Sequence, residues 1–467
     1  MRTRILYLIL IKIFTHLVSF AQSDISIQIK DYHRDSIWWG KMLGKRFVKN
    51  QIIIKSNDGY FHLKADTIYK KGLYNIAFNV NDQSPTIGFY IYLDPQQPNF
   101  SIQVDAGNPV KTAQINGSAE TKLFYDYYHK MDSLLGKYYD LVDAWRLYEN
   151  QDSFEKLVHH EQAIQEYQSF ISGKYPSSFV TKIIEETKFE MPVLKGNLED
   201  RKKQRQLFFD QSFTINNAPS NDFFWSNPLS ILWLDMYTIR SHDAGLLQSE
   251  SRLKNIVDKI SSHAEGYHYY LNYLLNSFQR MSRFNMDKLY VYLVNEYVLK
   301  NKTPWLNQEE TAKHKIQAIH IERLMVGKKA PDATLFNENQ KKVILSSLQP
   351  TYAMLLFWSP DCSHCKKELP ILNALLEKYQ SKNIQLITVC NKTGAGVIAC
   401  FEHMKTNYPN AKWMHLADAD NQSRINSLYN VTSTPTTYIL DRNKTIVYRR
   451  KGEMSEEELD IILNRLN

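Results

Sequence analysis

The sequence predicts a multidomain protein in which a small β-sandwich or barrel precedes an all-α region and then an α/β domain. Three observations carry this reading: short alternating runs up to about residue 105, helical spacing of apolar residues from Ser118 to about 325, and strands alternating with helices from Val326 onward. At 467 residues the chain is too long for one hydrophobic core, so about two to four domains are expected. With 43% hydrophobic and 23% charged residues, 16 Gly and 15 Pro, the composition excludes a collagenous, low-complexity or wholly disordered chain. The 29 Tyr point to amphipathic cores and semi-polar surfaces, not to a membrane bundle.

The β-type runs are Ile25–Lys30, Ile52–Lys55, Leu73–Phe78, Ile87–Leu93 and Phe100–Val104. Asn57-Asp-Gly59 and Asp94-Pro-Gln-Gln-Pro98 punctuate them as turns, and a small antiparallel sandwich or barrel spanning residues 22–112 is expected. Beyond Asn116-Gly-Ser118 the period changes. Phe124, Tyr127, Tyr128, Met131, Leu134 and Leu135 recur at helical spacing with Ser118 as the cap, and Leu253–Ile260 and Met286–Val294 are amphipathic. This helical domain is placed at 113–325. His159 and His160 are adjacent, so on a helix they point about 100° apart and make no ligand pair; surface histidines are expected. Trp38, Trp39, Trp145, Trp225, Trp233 and Trp305 are expected in cores, not as binding platforms.

Residues 1–21 read as a secretory signal: Arg2 and Arg4 in front, a mostly apolar stretch from Ile5 to Phe20, and small residues at Ser19 and Ala21. The rival is a retained anchor, but Lys12 and His16 interrupt the run below the roughly 20 apolar residues a spanning helix needs. No later stretch is apolar enough to span, so an exported protein of the periplasm or envelope, without an integral span after cleavage, is expected. The formal charge of +8 falls to +5 without Arg2, Arg4 and Lys12, which is a solvated mixed surface and no case for nucleic acid.

From Val326 to Asn467 the elements are Val343–Leu345, Met354–Phe357, a helix Ser363–Tyr379, Ile384–Val389, helices near Val397–Asn407 and Gln422–Tyr429, a hairpin Thr436–Leu440 and Ile446–Tyr448, and a last helix opened by a capping box at Ser455–Glu458. The chemical signal lies here, in Trp358-Ser-Pro-Asp-Cys-Ser-His-Cys-Lys-Lys-Glu-Leu-Pro370. Cys362 sits where a strand hands over to a helix, so unpaired N–H groups and the positive helix end favour its thiolate, the nucleophile of disulfide exchange. Cys365 lies one turn inward, placed to attack a mixed disulfide on Cys362. His364 adds a positive charge or donor, which stabilises the reduced form and makes the couple more oxidising. Half of a zinc site is the alternative, but no second Cys or Cys/His pair stands at ligand spacing, and neither metal nor cofactor is called for. A structural disulfide across so short a loop removes little unfolded-state entropy.

The last 140 or so residues resemble the extracytoplasmic thioredoxin-fold thiol–disulfide oxidoreductases typified by TlpA and ResA. The resemblance rests on Phe357-Trp358, Cys362-Ser-His-Cys365-Lys-Lys-Glu368, Pro370 and Ser433-Thr-Pro-Thr436. It implies a cis Thr434–Pro435 bond facing the disulfide, Trp358, Thr434 and Pro435 as substrate-docking residues, and Glu368 as an acid able to move protons for Cys365. Thioredoxin itself keeps a buried acid six residues before the first Cys, where this chain has Leu356. Peroxiredoxins share the fold, but their Pro seven residues before the reactive Cys is Leu355 here, and only Ser359 fits their pattern. The β-rich and helical segments resemble the paired extensions that precede such domains in secreted Bacteroidetes-type proteins, on layout and on Asn116-Gly-Ser-Ala-Glu-Thr-Lys-Leu-Phe124.

Cys390 and Cys400 are left with two readings, a disulfide or two buried thiols. Two functions compete. In one, the chain exchanges electrons with cysteine pairs of exported proteins, as a reductase recharged by a membrane electron donor. In the other, it is a binding or assembly module of the envelope with an accessory thioredoxin-like domain.

Overall fold

The computed structural model describes residues 23–44, 46–65, 71–81, 86–94, 99–188, 190–212, 222–240, 246–279 and 286–466. The export segment expected at 1–21 and residues 95–98 of one expected turn lie outside them. The chain divides into two compact units, one of residues up to 139 with 158–238 and 259–266, the other of 140–157, 239–258 and 267 onward. Among the described residues, no helix is long and apolar enough to cross a membrane.

Among its described residues the first unit holds eight strands: β1 (Ser23–Lys30), β2 (Ser36–Leu43), β3 (Arg46–Ile54), β4 (Phe61–Ala65), β5 (Gly72–Phe78), β6 (Ile87–Leu93), β7 (Phe100–Asp105) and β8 (Gln114–Asn116). They form two four-stranded sheets, ordered β4-β1-β7-β8 and β3-β2-β5-β6. Alternation decides which face is buried: Ile25, Ile27 and Ile29 of β1 and Phe100, Ile102 and Val104 of β7 all point inward. Tyr32 joins the two layers, its ring 6.0 Å from Phe61 and 5.0 Å from Phe78. The expected all-antiparallel pattern is corrected at one place, because β1 and β7 pair in parallel. A parallel pair needs a long crossover, and β2 to β6 supply it.

The helices that follow are α1 (Ala119–Tyr148), α2 (Gln151–Lys174), α3 (Phe179–Glu186), α4 (Leu198–Ser212), α5 (Asp222–Ser226), α6 (Pro228–Arg240), α7 (Leu246–Ile260) and α8 (Ala264–Phe278). Ser118 caps α1, its Oγ accepting the Thr121 N–H at 3.2 Å, and Phe124, Tyr127, Met131 and Leu135 are buried along it. The pair expected at the surface behaves differently residue by residue. His159 is exposed, but His160 is buried with Nε2 2.7 Å from the Leu134 carbonyl, because that turn of α2 lies against α1. Trp39, Trp145, Trp225 and Trp233 are buried, while Trp38 and Trp305 are half-buried.

The second unit contains α9 (Asp287–Leu293), a π-helical turn Val294–Val298 and α10 (Gln308–Arg323), which a reciprocal Asn307–Glu310 capping box opens. Its sheet has seven strands: β9 (Thr334–Phe336), β10 (Lys342–Ile344), β11 (Tyr352–Trp358), β12 (Ile384–Cys390), β13 (Met414–Ala417), β14 (Thr436–Asp441) and β15 (Ile446–Lys451), in the order β10-β9-β13-β12-β11-β14-β15. With them come α11 (Ser363–Lys378), α12 (Gly396–Asn407), α13 (Ile425–Leu428) and α14 (Glu456–Arg465). β11 is apolar throughout because both its faces are covered. Met354, Leu356 and Trp358 enter one core cluster, and Ala353, Leu355 and Phe357 enter the other. Its C-terminal end, in a parallel pair with β12 and an antiparallel pair with β14, aims the next residues at the start of α11.

Candidate active site

The turn after β11 is short and internally bonded. The Cys362 N–H donates to the Ser359 carbonyl at 3.1 Å, and the Asp361 N–H to Ser359 Oγ at 3.3 Å. Cys362 is thereby the N-cap of α11, and its Sγ accepts the Cys365 N–H at 3.0 Å. A helix start gathers unpaired N–H groups and partial positive charge, so a developing thiolate at this sulfur meets donors. Cys362 and Cys365 form a disulfide with their Cα atoms 5.3 Å apart. Cys365 is fully buried and Cys362 only partly, so Cys362 is the sulfur an incoming chain can reach.

The Thr434–Pro435 peptide bond is cis, and the Thr434 carbonyl oxygen lies 3.4 Å from Cys362 Sγ. A loop 72 residues away in sequence is thus brought against the disulfide. Trp358 is buried, with its ring 5.3 Å from that of His403. Its burial leaves no open face for docking. Leu356 is buried in the sheet, leaving the position of thioredoxin's acid apolar.

Glu368 lies one turn beyond Cys365 on the same face of α11 and is fully buried. Its Oε2 accepts the Met454 N–H at 3.2 Å, and among the described residues Oε1 has no partner. Burial, helped by the charges of Glu453 and Glu458 and opposed by the Met454 N–H and Arg450, pushes its carboxyl up to about 7. An acid raised in this way stabilises the fold fully below its unfolded value of 4.5, and that contribution is lost as pH rises through about 7. The shift corresponds to about 3 kcal/mol. Glu368→Gln is therefore expected to gain up to about that much stability relative to the unmodified protein between pH 4.5 and 8, measured by urea unfolding at both pH values.

His364 is exposed, and its Nδ1 contacts the carboxylate of Glu453. Asp361, beside Cys362, pairs with Lys392 at 2.5 Å. Cys390 and Cys400 are disulfide-bonded and buried, which decides between their two readings. Sequence reasoning missed Glu453, Met454 and Lys392. None belongs to a motif, and each reaches the site through pairing across the fold.

The C-terminal domain is similar to known proteins. Residues 326–449 match the AhpC/TSA family. The thiol–disulfide oxidoreductase ResA of Bacillus cereus is 27% identical over 146 residues, which is 31% of this chain and 80% of the relative. The thioredoxin-like protein YneN of Bacillus subtilis is 30% identical over 137 residues, 29% of this chain and 76% of the relative. A crystal structure of a thioredoxin-like protein from Bacteroides caccae aligns with a TM-score of 0.48 at 16% identity, covering 59% of this chain and 98% of that one. This chain belongs, through its C-terminal domain, to the thioredoxin-like thiol–disulfide oxidoreductases.

Proposed function

We propose that the chain is an extracytoplasmic reductase of cysteine pairs in exported proteins. One observation carries it: the reachable Cys362 sulfur, at a helix start, lies 3.4 Å from the carbonyl before a cis-proline, with Cys365 buried behind it. In the reduced protein, the Cys362 thiolate attacks one sulfur of a client disulfide. An S–S bond forms to Cys362 and the other client sulfur leaves as a thiolate. Cys365, losing its proton, then attacks Cys362 and restores the disulfide seen here, releasing the second client sulfur. Two electrons pass to the client, whose two sulfurs take up protons. Glu368 accepts the proton of Cys365, since an acid titrating near 7 can both take and give one at neutral pH.

Thr434 and Pro435 receive the client backbone, His364 adds a donor beside the reactive sulfur, and Trp358 backs the motif. The signal-like pattern of residues 1–21 and the buried Cys390–Cys400 disulfide support an oxidising compartment outside the cytoplasm. The two N-terminal sheets and the helices select or position the client. A membrane donor returns electrons to the couple.

The equilibrium potential of the Cys362–Cys365 couple in defined thiol buffers tests the direction of flow. A value near thioredoxin's, about −270 mV, is expected of a reductase; one near DsbA's, about −120 mV, makes the protein an oxidant. A chain with no exchange at all, but with intact binding to envelope proteins, is the assembly module.

A further inference from the structure

We propose that Glu453 is a positioning residue for the exchange reaction and acts through His364. The proposal rests on the functional reading above and adds to it a residue from outside the Cys-Ser-His-Cys motif.

The turn between β15 and α14 touches three separate parts of the site. The Gly452 N–H donates to the carbonyl of cis-Pro435 at 2.9 Å. The Glu453 carboxylate meets His364 Nδ1. The Met454 N–H donates to the buried carboxyl of Glu368 at 3.2 Å. Arg450 adds a bond to the Glu453 carbonyl at 3.4 Å, and Ser455 closes the turn as the cap of α14, its Oγ accepting the Glu458 N–H at 3.1 Å. The backbone on either side of Glu453 is therefore tied to the docking proline and to the buried acid. Gly452 takes a φ of +93°, a conformation that other residues adopt only under strain, so the direction in which this turn presents Glu453 is built in.

His364 lies two residues after Cys362, in the first turn of α11. Its side chain is 61% exposed, so it has little packing of its own to hold it. A carboxylate on Nδ1 requires the proton there, fixes the plane of the ring and leaves Nε2 as the nitrogen offered to an incoming chain. With Glu453 in place the ring stands in one position beside the reactive sulfur, and Nε2 is a donor there when the ring carries its second proton. Without it, the ring samples its rotamers in water. The same carboxylate reaches inward, because its charge is one of those that raise Glu368. One side chain thus bears on both the exposed and the buried partner of the disulfide.

The test uses the full chain, equilibrated with reduced and oxidised glutathione and read by alkylation and mass spectrometry. Glu453→Gln and Glu453→Ala are expected to move the Cys362–Cys365 equilibrium toward the disulfide by about two- to fivefold, the range of a partly exposed ion pair. His364→Gln is expected to do the same. In the doubly changed protein, replacing Glu453 adds nothing in that direction, since the ring it positions is gone. The second readout is the titration of Glu368 by carbon NMR, whose midpoint near 7 is expected to fall in Glu453→Gln as a neighbouring negative charge is removed. Glu453 variants with the unmodified equilibrium, or effects of Glu453 and His364 that simply add, overturn the proposal. Loss of exchange in the unmodified protein instead overturns the functional reading on which it rests.

Discussion

Cys362→Ser is expected to abolish thiol–disulfide exchange, by on the order of a thousandfold or more, the scale on which covalent catalysts fail when their nucleophile is removed. The reason is geometric. Cys362 is the partly exposed member of the pair and caps the helix, whereas Cys365 is fully buried and cannot meet a protein disulfide directly. No other sulfur can substitute, because Cys390 and Cys400 are bonded to each other in the core. The measurement is reduction of a disulfide-bonded peptide by the pre-reduced protein, with partner binding followed in parallel. Lost exchange with unchanged binding supports the enzyme, because a serine hydroxyl in that position still allows docking but forms no mixed disulfide.

The second large effect concerns stability. Arg449 of β15 pairs with Asp287, the first residue of α9, and both side chains are almost entirely buried. Burial drives the Asp287 carboxyl upward even though Arg449 and Lys451 pull it down. Desolvation therefore outweighs the attraction, and the pair is a costly arrangement that tolerates no half-removal. Arg449→Met leaves an unpaired carboxyl inside the fold and is expected to cost about 3–5 kcal/mol. Combining it with Asp287→Leu is expected to recover most of that loss, since two apolar side chains need no partner. Hydrogen-exchange protection of the β14–β15 amides reads both variants, and the double variant falling as far as the single one contradicts the argument.

Much of this was legible in the sequence, for reasons that also explain the gaps. β1 and β7 alternate over six to eight residues, long enough for the period to show, and β5 and β6 show as mostly apolar runs of seven residues. β4, β8, β9 and β13 have only three to five residues, too few to carry a period, and their pairing is decided by neighbours far along the chain. β3 was read from Ile52 but begins at Arg46, because Arg46 to Gln51, exposed except for the half-buried Phe47, buries no residue fully and shows no apolar period. At the site, motif spacing pointed to Cys362, Cys365, Glu368, Thr434 and Pro435 because it is local in sequence, and the roles given to them stand as proposals. The burial of Trp358 was not legible, since a tryptophan reads alike whether it faces a client or His403. Glu453 was invisible for a simpler reason: 89 residues separate it from His364, and only the return of β15 beside β14 brings them together.

The most direct test is where a client becomes attached. In Cys365→Ser the resolving thiol is missing, so a mixed disulfide with a disulfide-bonded peptide accumulates and can be mapped by mass spectrometry. The geometry predicts the peptide on Cys362, in near-stoichiometric yield, with the Cys390–Cys400 disulfide intact. A peptide attached to Cys390 or Cys400, or no adduct under conditions where the unmodified protein reduces the same peptide, contradicts the assignment of Cys362 as the nucleophile.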